Sequence, residues 1–153
     1  MEIYTVSLFG HREIEDLRRL EEVLSRLVRD LLWEKPFVSF LVGRSGDFDE
    51  CAARVIKEAQ KKYGKERAEI TLVLPYAVSD LPYYEEYYDA VLIPPCVQGV
   101  NPKGAHGRKN QWMVEQSDLV VGWIERKQGG AYKAVEYARR HPCRVVLLCD
   151  APQ

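Results

Sequence analysis

Hydrophobic positions along the chain fall into two patterns that alternate from the first residues to the last. Short segments are continuously apolar and rich in β-branched residues, as in strands buried on both faces of a sheet. Longer segments carry apolar residues three or four positions apart with charges between them, which is typical of helices packed on one face. The predicted strands are 3–10, 37–43, 69–75, 90–95, 118–124 and 144–149, and the predicted helices are 13–32, 48–63, roughly 108–116 and the segment opened by Gly129 and Gly130.

The alternation of strands and helices predicts the fold class. Strands buried on both faces are usually parallel, and parallel neighbours are joined by right-handed crossovers through helices. We therefore expect an α/β protein, a Rossmann-like three-layer α/β/α sandwich with a mostly parallel central sheet. A length of 153 residues fits one domain spanning 1–153. The segment 76–107, rich in Pro, Gly and Tyr, is predicted to be a functional loop over the sheet edge.

Composition narrows the possible functions. Hydrophobic residues make up 46% of the chain and the formal net charge is −1, which argues against a protein that holds nucleic acid by bulk electrostatics. No apolar run approaches the ~20 residues that cross a bilayer, so we expect no membrane partner. The N-terminus begins with an acid and enters a strand, unlike a signal peptide.

The four cysteines indicate the compartment. They form no C-x-x-C pair and have no histidine at zinc-ligand spacing, so reduced thiols in a cytoplasmic protein are expected. A catalytic cysteine is the alternative, but no base is placed beside one in the sequence. The sequence predicts neither a cofactor nor a metal site.

Candidate site residues follow the predicted strands. In an open parallel sheet, ligands bind beyond the carboxyl ends of the strands, where helix N-termini present free N–H groups. Glycines there allow close approach of the backbone to a ligand, and basic side chains suit phosphate or carboxylate. The candidate ligand-binding residues are Gly10, His11, Arg12, Gly43, Arg44, Ser45, Gly46, Asp47, Asp49, Lys109, Gly129, Gly130 and Ala131.

These residues predict a phosphorylated small molecule between Gly43–Asp47 and Gly129–Ala131. The alternative is that the glycines serve only the geometry of strand-to-helix turns. Asp47 is expected to be the N-cap of the second helix, while Asp49 is either a further cap or the partner of a ribose hydroxyl. His106 is a further candidate for contact with the ligand or for base catalysis.

The chain contains, in this order, the segments SLFGHRE, FLVGRSGDFDECAARVI, LVLPY, GRKNQWMVEQSDLVVGWIE and GGAYKAVEYARR. Taken together they resemble the bacterial and phage members of the SLOG superfamily. This group joins the DNA-processing protein A family and the Lonely Guy phosphoribohydrolases, which are often mislabelled lysine decarboxylases. The similarity runs from about residue 3 to 149 and implies a Rossmann-like fold that binds nucleotides or their derivatives.

The resemblance to the Lonely Guy enzymes implies two catalytic residues. Arg108 matches the arginine of their R-K-x-x-M segment, and Glu136 has the spacing of the glutamate in P-G-G-x-G-T-x-x-E. In those enzymes this pair cleaves the N-glycosidic bond of a nucleoside monophosphate, so Glu136 is expected to face the pocket behind Gly129 and Gly130. This chain departs from the motif, because Gln128, Tyr132 and Lys133 replace its proline, second-turn glycine and threonine.

Three functions stay open at this point. The first is binding or sensing of a nucleotide-like small molecule without turnover. The second is N-glycoside hydrolysis with Glu136 and Arg108, and the third is a nucleic-acid-associated module, against which the charge argues. Trp112 and Trp123 are assigned to the core or to an oligomer contact, so a homodimer is also open.

Overall fold

The computed structural model describes residues 2–151, so residues 1, 152 and 153 of the predicted domain lie outside the described residues. The strands are β1 Tyr4–Gly10, β2 Val38–Val42, β3 Ala68–Val73, β4 Ala90–Leu92, β5 Leu119–Trp123 and β6 Arg144–Cys149. The α-helices are α1 Leu17–Glu34, α2 Asp47–Tyr63, α3 Leu81–Tyr87, α4 Pro102–Gln116 and α5 Gly130–Ala138. Short 3₁₀ turns cover Lys65–Arg67 and Pro95–Val97.

The six strands form one parallel sheet in the order β4-β3-β2-β1-β5-β6. After β4 the chain crosses the sheet and adds β5 on the other side of β1, so the topological switch point lies between β1 and β5. The predicted α/β class and parallel sheet are confirmed. In the described part of the chain, no helix combines the length and apolar character needed to cross a bilayer.

Helices cover both faces of the sheet because alternate strand residues point to opposite sides. Val6 and Leu8 of β1 belong to a core that includes the buried faces of α1 and α2. Phe9, which follows Leu8 and points to the opposite face, packs in a second cluster with Met113 of α4 and Ala134 of α5. The arrangement is a three-layer sandwich with α4 and α5 side by side on one face.

The segment 76–107 is more regular than the sequence predicted. It contains α3, β4 and the start of α4, which begins at Pro102 and not near 108. Asn101 caps this helix by accepting a hydrogen bond from the Lys103 N–H at 3.0 Å, and proline suits the first helical position. Gly104 and Gly107 lower the helix propensity of the first turns of α4, which is why the sequence pattern did not reveal where the helix starts.

Buried hydroxyls fix α4 against the sheet. The Ser7 hydroxyl of β1 donates to the carbonyl of Met113 at 3.1 Å. The Ser117 hydroxyl lies 2.7 Å from Ser7 Oγ and 2.6 Å from the same carbonyl. These bonds hold the C-terminal part of α4 to β1 and so set which residues of α4 face the switch point.

Candidate functional site

A cavity of about 610 Å³ lies at the carboxyl ends of β1, β2 and β5, at the switch point of the sheet. We call it the switch-point cavity. One side of it is formed by α4 and another by the first residues of α5. Its polar and backbone lining consists of residues 10–12, Gly43, Ser45, Asp49, His106, Lys109, Asn110, Arg126 and residues 128–131.

The structure brings most of the sequence-predicted ligand-binding residues to this cavity. The two glycine turns, one after β2 and one after β5, line the same space as the Gly-His-Arg turn after β1. The predicted residues that line it are Gly10, His11, Arg12, Gly43, Ser45, Asp49, Lys109, Gly129, Gly130 and Ala131. Those outside its lining are Arg44, Gly46, Asp47, Arg108 and Glu136.

The start of α2 differs from the prediction, because Gly46 and not Asp47 is the N-cap. Gly46 has φ 114°, and a Cβ there would lie 2.6 Å from the carbonyl oxygen of Arg12, so a side chain is excluded on two grounds. Asp47 instead holds the loop after β1: its N–H donates to the Arg12 carbonyl at 2.8 Å, and its carboxylate accepts from the Ile14 N–H at 3.0 Å. Gly46 and Asp47 therefore position Arg12 without lining the cavity.

Asp49 and Lys109 form the polar floor beside Gly43. Their exposed fractions are 9% and 5%. A Cβ added at Gly43 would lie 3.0 Å from Asp49 Oδ2 and 3.1 Å from Lys109 Nζ, so only glycine leaves the space between the two side chains open. Burial raises the pKa of Asp49, while the Ser45 N–H and Lys109 act to lower it. Burial lowers the pKa of Lys109, and Asp49 opposes that change.

The two basic residues predicted in α4, Arg108 and Lys109, point in different directions from the helix. Successive residues on an α-helix point about 100° apart, so two neighbours do not share a face. Lys109 is buried at the cavity, whereas Arg108 is exposed and absent from its lining. The prediction that Arg108 holds the ligand or cleaves it beside Glu136 is therefore not supported by the geometry.

Glu136 does not face the switch-point cavity, so the predicted orientation is wrong. The cavity meets α5 only at Gly130 and Ala131. Glu136 lies about 9 Å further along the axis, at a rise of about 1.5 Å per residue. Its carboxylate is 3.5 Å from Arg139 Nε and borders a separate cavity of about 150 Å³.

Two histidines line the cavity with lowered pKa values. His11 is buried, and its Nε2 accepts a hydrogen bond from the Arg126 N–H at 3.3 Å, which places the proton of the neutral ring on Nδ1. Burial is the main cause of its lowered pKa, followed by the charge of Arg126. His106 lies 3.3 Å from the Tyr76 hydroxyl, and its pKa is lowered by burial and then by Lys109, Arg12 and Arg44.

Asn110, Arg126 and Gln128 are lining residues that the sequence reasoning missed. Asn110 Oδ1 is buried without a hydrogen-bond partner in residues 2–151, and Asn110 Nδ2 lies 3.7 Å from the position of a Cβ on Gly130. Arg126 and Gln128 lie in the loop that follows β5, so their position after a strand could have identified them from the sequence. For Asn110 no such signal existed, because its orientation depends on how α4 is rotated against the sheet.

Arg44 lies beside the cavity at its outer rim. It is exposed, with a guanidinium nitrogen 3.4 Å from the Tyr84 hydroxyl and the guanidinium carbon 5.6 Å from the Tyr84 ring centroid. Its charge reaches His106, whose pKa it helps to lower. In residues 2–151, no group of three or more His, Cys, Asp or Glu side chains is arranged to hold a metal ion.

Solved structures share this fold. The structure of DNA processing protein A from Streptococcus pneumoniae aligns with 95% of this chain at 13% identity and a TM-score of 0.70. DNA processing protein A from Helicobacter pylori, described with its single-stranded DNA binding mode, aligns with 94% at 12% identity and a TM-score of 0.65. Both neighbours have a Rossmann-like fold of the SLOG type, and this chain shares that fold. The chain spans 50% of the length of the first structure and 64% of the second.

A third similar structure has a different described role. The molybdenum cofactor carrier protein from Chlamydomonas reinhardtii aligns with 95% of this chain at 16% identity and a TM-score of 0.61, and the alignment covers 76% of that protein. No protein-family model and no curated protein sequence matches the chain. At these identities the similarity establishes the fold and leaves the ligand to be argued from the cavity.

Proposed function

We propose that the protein binds a phosphorylated, nucleotide-like small molecule in the switch-point cavity. The observation that carries this proposal is the balance of charge around the cavity. Among the described residues that line it, the basic side chains of lysine and arginine are Arg12, Lys109 and Arg126, and the acidic side chain is Asp49. An excess of positive charge in a concave, partly desolvated site attracts an anionic ligand.

Lys109 is the cation that most needs a ligand. Arg126 already has a partner, since its guanidinium lies 3.7 Å from the Glu125 carboxylate. Within residues 2–151, the ammonium of Lys109 makes no ion pair and no hydrogen bond, although the residue is 95% buried. A buried ammonium without a direct partner is costly, and an anionic oxygen of a ligand would offset that cost.

The start of α5 supplies further donors. Its N-cap is Gly129, at φ 93°, which has no side chain to bond the free N–H groups of the first turn. Gly129, Gly130 and Ala131 all line the cavity, so these amides can bind a phosphate there. The volume of about 610 Å³ lies in the range of ligand sites for molecules the size of a nucleotide.

Lys109→Met tests the proposal, because it keeps the length of the side chain and removes the charge. Calorimetry with inorganic phosphate and with nucleoside 5′-monophosphates should show a loss of roughly 1–3 kcal/mol in binding free energy, the scale of a hydrogen bond to a charged group. Arg108→Met is the matched control on the exposed side of the same helix, and its affinity should equal that of the wild type. Equal losses in both variants, or none in Lys109→Met, would contradict the proposal.

Single-stranded nucleic acid is the second candidate ligand. DNA processing protein A from Helicobacter pylori is described as binding single-stranded DNA, and it has a similar fold. At the rim of the cavity in this chain, Arg44 lies over Tyr84, and Tyr83 is 64% exposed beside it. Aromatic and cationic side chains on one rim suit the bases and phosphates of a single strand.

The N-glycosidase alternative has no such support, because Glu136 and Arg108 lie away from the cavity.

A further inference from the structure

Asp49 is a carboxylate inside a cavity that is otherwise rich in donors and cations. Its Oδ2 accepts a hydrogen bond from the Ser45 N–H at 2.7 Å, and residues 2–151 provide no hydrogen bond to Oδ1. Asp49 lines the cavity while being 9% exposed. A carboxylate repels the oxygens of a phosphate, so the part of a ligand that lies against Asp49 has to bring a hydrogen-bond donor.

The floor offers a donor as well as an acceptor. The position of a Cβ on Gly43 is 3.0 Å from Asp49 Oδ2 and 3.1 Å from Lys109 Nζ, so the two groups flank a space that a small ligand atom can enter. No direct ion pair closes this space. A hydroxyl can donate to a carboxylate and accept from an ammonium at the same time, which neither a phosphate oxygen nor a hydrocarbon can do. Lys109 has further N–H donors for an anion nearby.

The donor and acceptor therefore specify a second chemical feature of the ligand. Resting on the proposed function, we infer that a ribose hydroxyl of the bound nucleotide donates to Asp49, so the cavity selects nucleotides by their sugar hydroxyls. The phosphate then lies toward the uncapped amides of Gly129–Ala131, away from the carboxylate. In this assignment glycine is required at position 43 because a Cβ there would crowd both Asp49 Oδ2 and Lys109 Nζ and obstruct the approach of the hydroxyl to them.

The test compares nucleotides that differ by one hydroxyl. Binding of a purine and a pyrimidine ribonucleoside 5′-monophosphate to the wild type is measured by calorimetry beside their 2′-deoxy and 3′-deoxy counterparts. At least one deoxy form should bind about 10-fold or more weakly, because removing the hydroxyl leaves the buried acceptor Asp49 without a donor. Which deoxy form is weaker identifies the hydroxyl that Asp49 accepts from.

Variants at α2 assign the effect to Asp49. In Asp49→Ala the ratio between ribonucleotide and deoxynucleotide affinities should fall to about one. Asp47→Ala is the matched control, because it also removes a carboxylate that accepts a backbone N–H in the first turn of α2 but lies outside the cavity lining. Because Asp47 holds the loop that carries Arg12, this variant should weaken ribonucleotide and deoxynucleotide binding equally and so keep the wild-type ratio. Asp49→Asn retains an acceptor for the Ser45 N–H, so it keeps the local fold if Asp49→Ala does not, and its ratio should also decrease.

The outcomes separate this inference from the proposed function. The inference fails if the wild type binds ribonucleotides and both deoxy forms equally. It also fails if the ratio of ribonucleotide to deoxynucleotide affinity is unchanged in Asp49→Ala and Asp49→Asn. In either case Asp49 serves only to accept the hydrogen bond from the Ser45 N–H. Binding of inorganic phosphate that depends on Lys109 would then still uphold the proposed function. If neither phosphate nor any nucleotide binds the wild type, both proposals are overturned.

Discussion

His106 is the residue whose protonation depends most directly on the charge of the switch-point cavity. Burial lowers its pKa below 6.5, and the charges of Lys109, Arg12 and Arg44 lower it further. These effects favour the neutral imidazole at the cavity more than in water. It is exposed enough to titrate, and its Nε2 is 3.3 Å from the Tyr76 hydroxyl.

Bound phosphate should raise the pKa of His106. The negative charge would offset the cations that disfavour the imidazolium, so the titration of His106 should shift to higher pH. Since binding raises this pKa, an anion of constant charge such as sulfate should also bind more tightly as the pH falls through the titration of His106. NMR titration with and without inorganic phosphate measures the shift, and phosphate added at constant pH should leave the resonances of His141, outside the cavity lining, in place. An unchanged pKa under saturating phosphate would place the anion elsewhere.

At the scale of elements, the close approach of β1 to α2 depends on Gly10. A Cβ there would lie 2.1 Å from Cγ and 2.2 Å from Cδ1 of Phe48, a side chain with no exposed surface. Overpacking a core of this kind displaces neighbouring side chains and backbone. Gly10 ends β1 and Phe48 lies in the first turn of α2, so this contact sets the distance between the two elements that carry Arg12 and Asp49.

Gly10→Ala should therefore lower the free energy of unfolding by roughly 1–3 kcal/mol. Gly107→Ala is the matched control, because Gly107 lies in α4 with no atom within 4 Å of an added Cβ. Alanine is favoured over glycine inside a helix by roughly 0.5–1 kcal/mol, so this second variant should be more stable than the wild type. Chemical denaturation measures both changes. A stable Gly10→Ala protein would show that α2 can move away from β1 at little cost.

At the scale of the whole molecule, charge is distributed unevenly although the formal net charge is −1. The cationic residues Arg12, Lys109 and Arg126 gather at one cavity, with Arg44 at its rim. A net charge near zero therefore did not exclude a local anion site. This concentration of positive charge at the cavity also sets the test of the second candidate function, the binding of single-stranded nucleic acid.

Single-stranded DNA should bind more weakly than a nucleoside monophosphate if the cavity is a small-molecule site. The reason is that Arg12, Lys109 and Arg126 surround one concave space, so they can neutralise only the phosphates that enter it and not those of a longer backbone. Gel retardation of a labelled oligonucleotide at several salt concentrations, with competition by nucleotides, measures this difference. Arg44→Ala should leave nucleotide binding unchanged. Tight, strongly salt-dependent DNA binding that Arg44→Ala reduces would favour the nucleic-acid function instead.

The sequence by itself determined the six strands, the helices other than α3, and the class of fold. Continuous apolar runs such as 119–124 can be buried only between two layers, and helical spacing of apolar residues supplies those layers, so local periodicity was sufficient for a parallel α/β sheet. The glycine turns after β1, β2 and β5 were also readable, since carboxyl ends of parallel strands meet at one edge. The start of α4 was not, because Gly104 and Gly107 conceal a helix that tertiary packing stabilises.

Only the tertiary structure decided which side chains reach the cavity. Lys109 and Arg108 are adjacent and chemically alike. The rotation of α4, fixed by bonds of Met113 and Ser117 to the distant Ser7, turns Lys109 inward and Arg108 outward. Glu136 matched a motif by spacing, yet it lies too far along α5 to reach the cavity. Spacing along a chain sets a position on a helix, but the direction of that helix relative to a site comes from packing between distant residues.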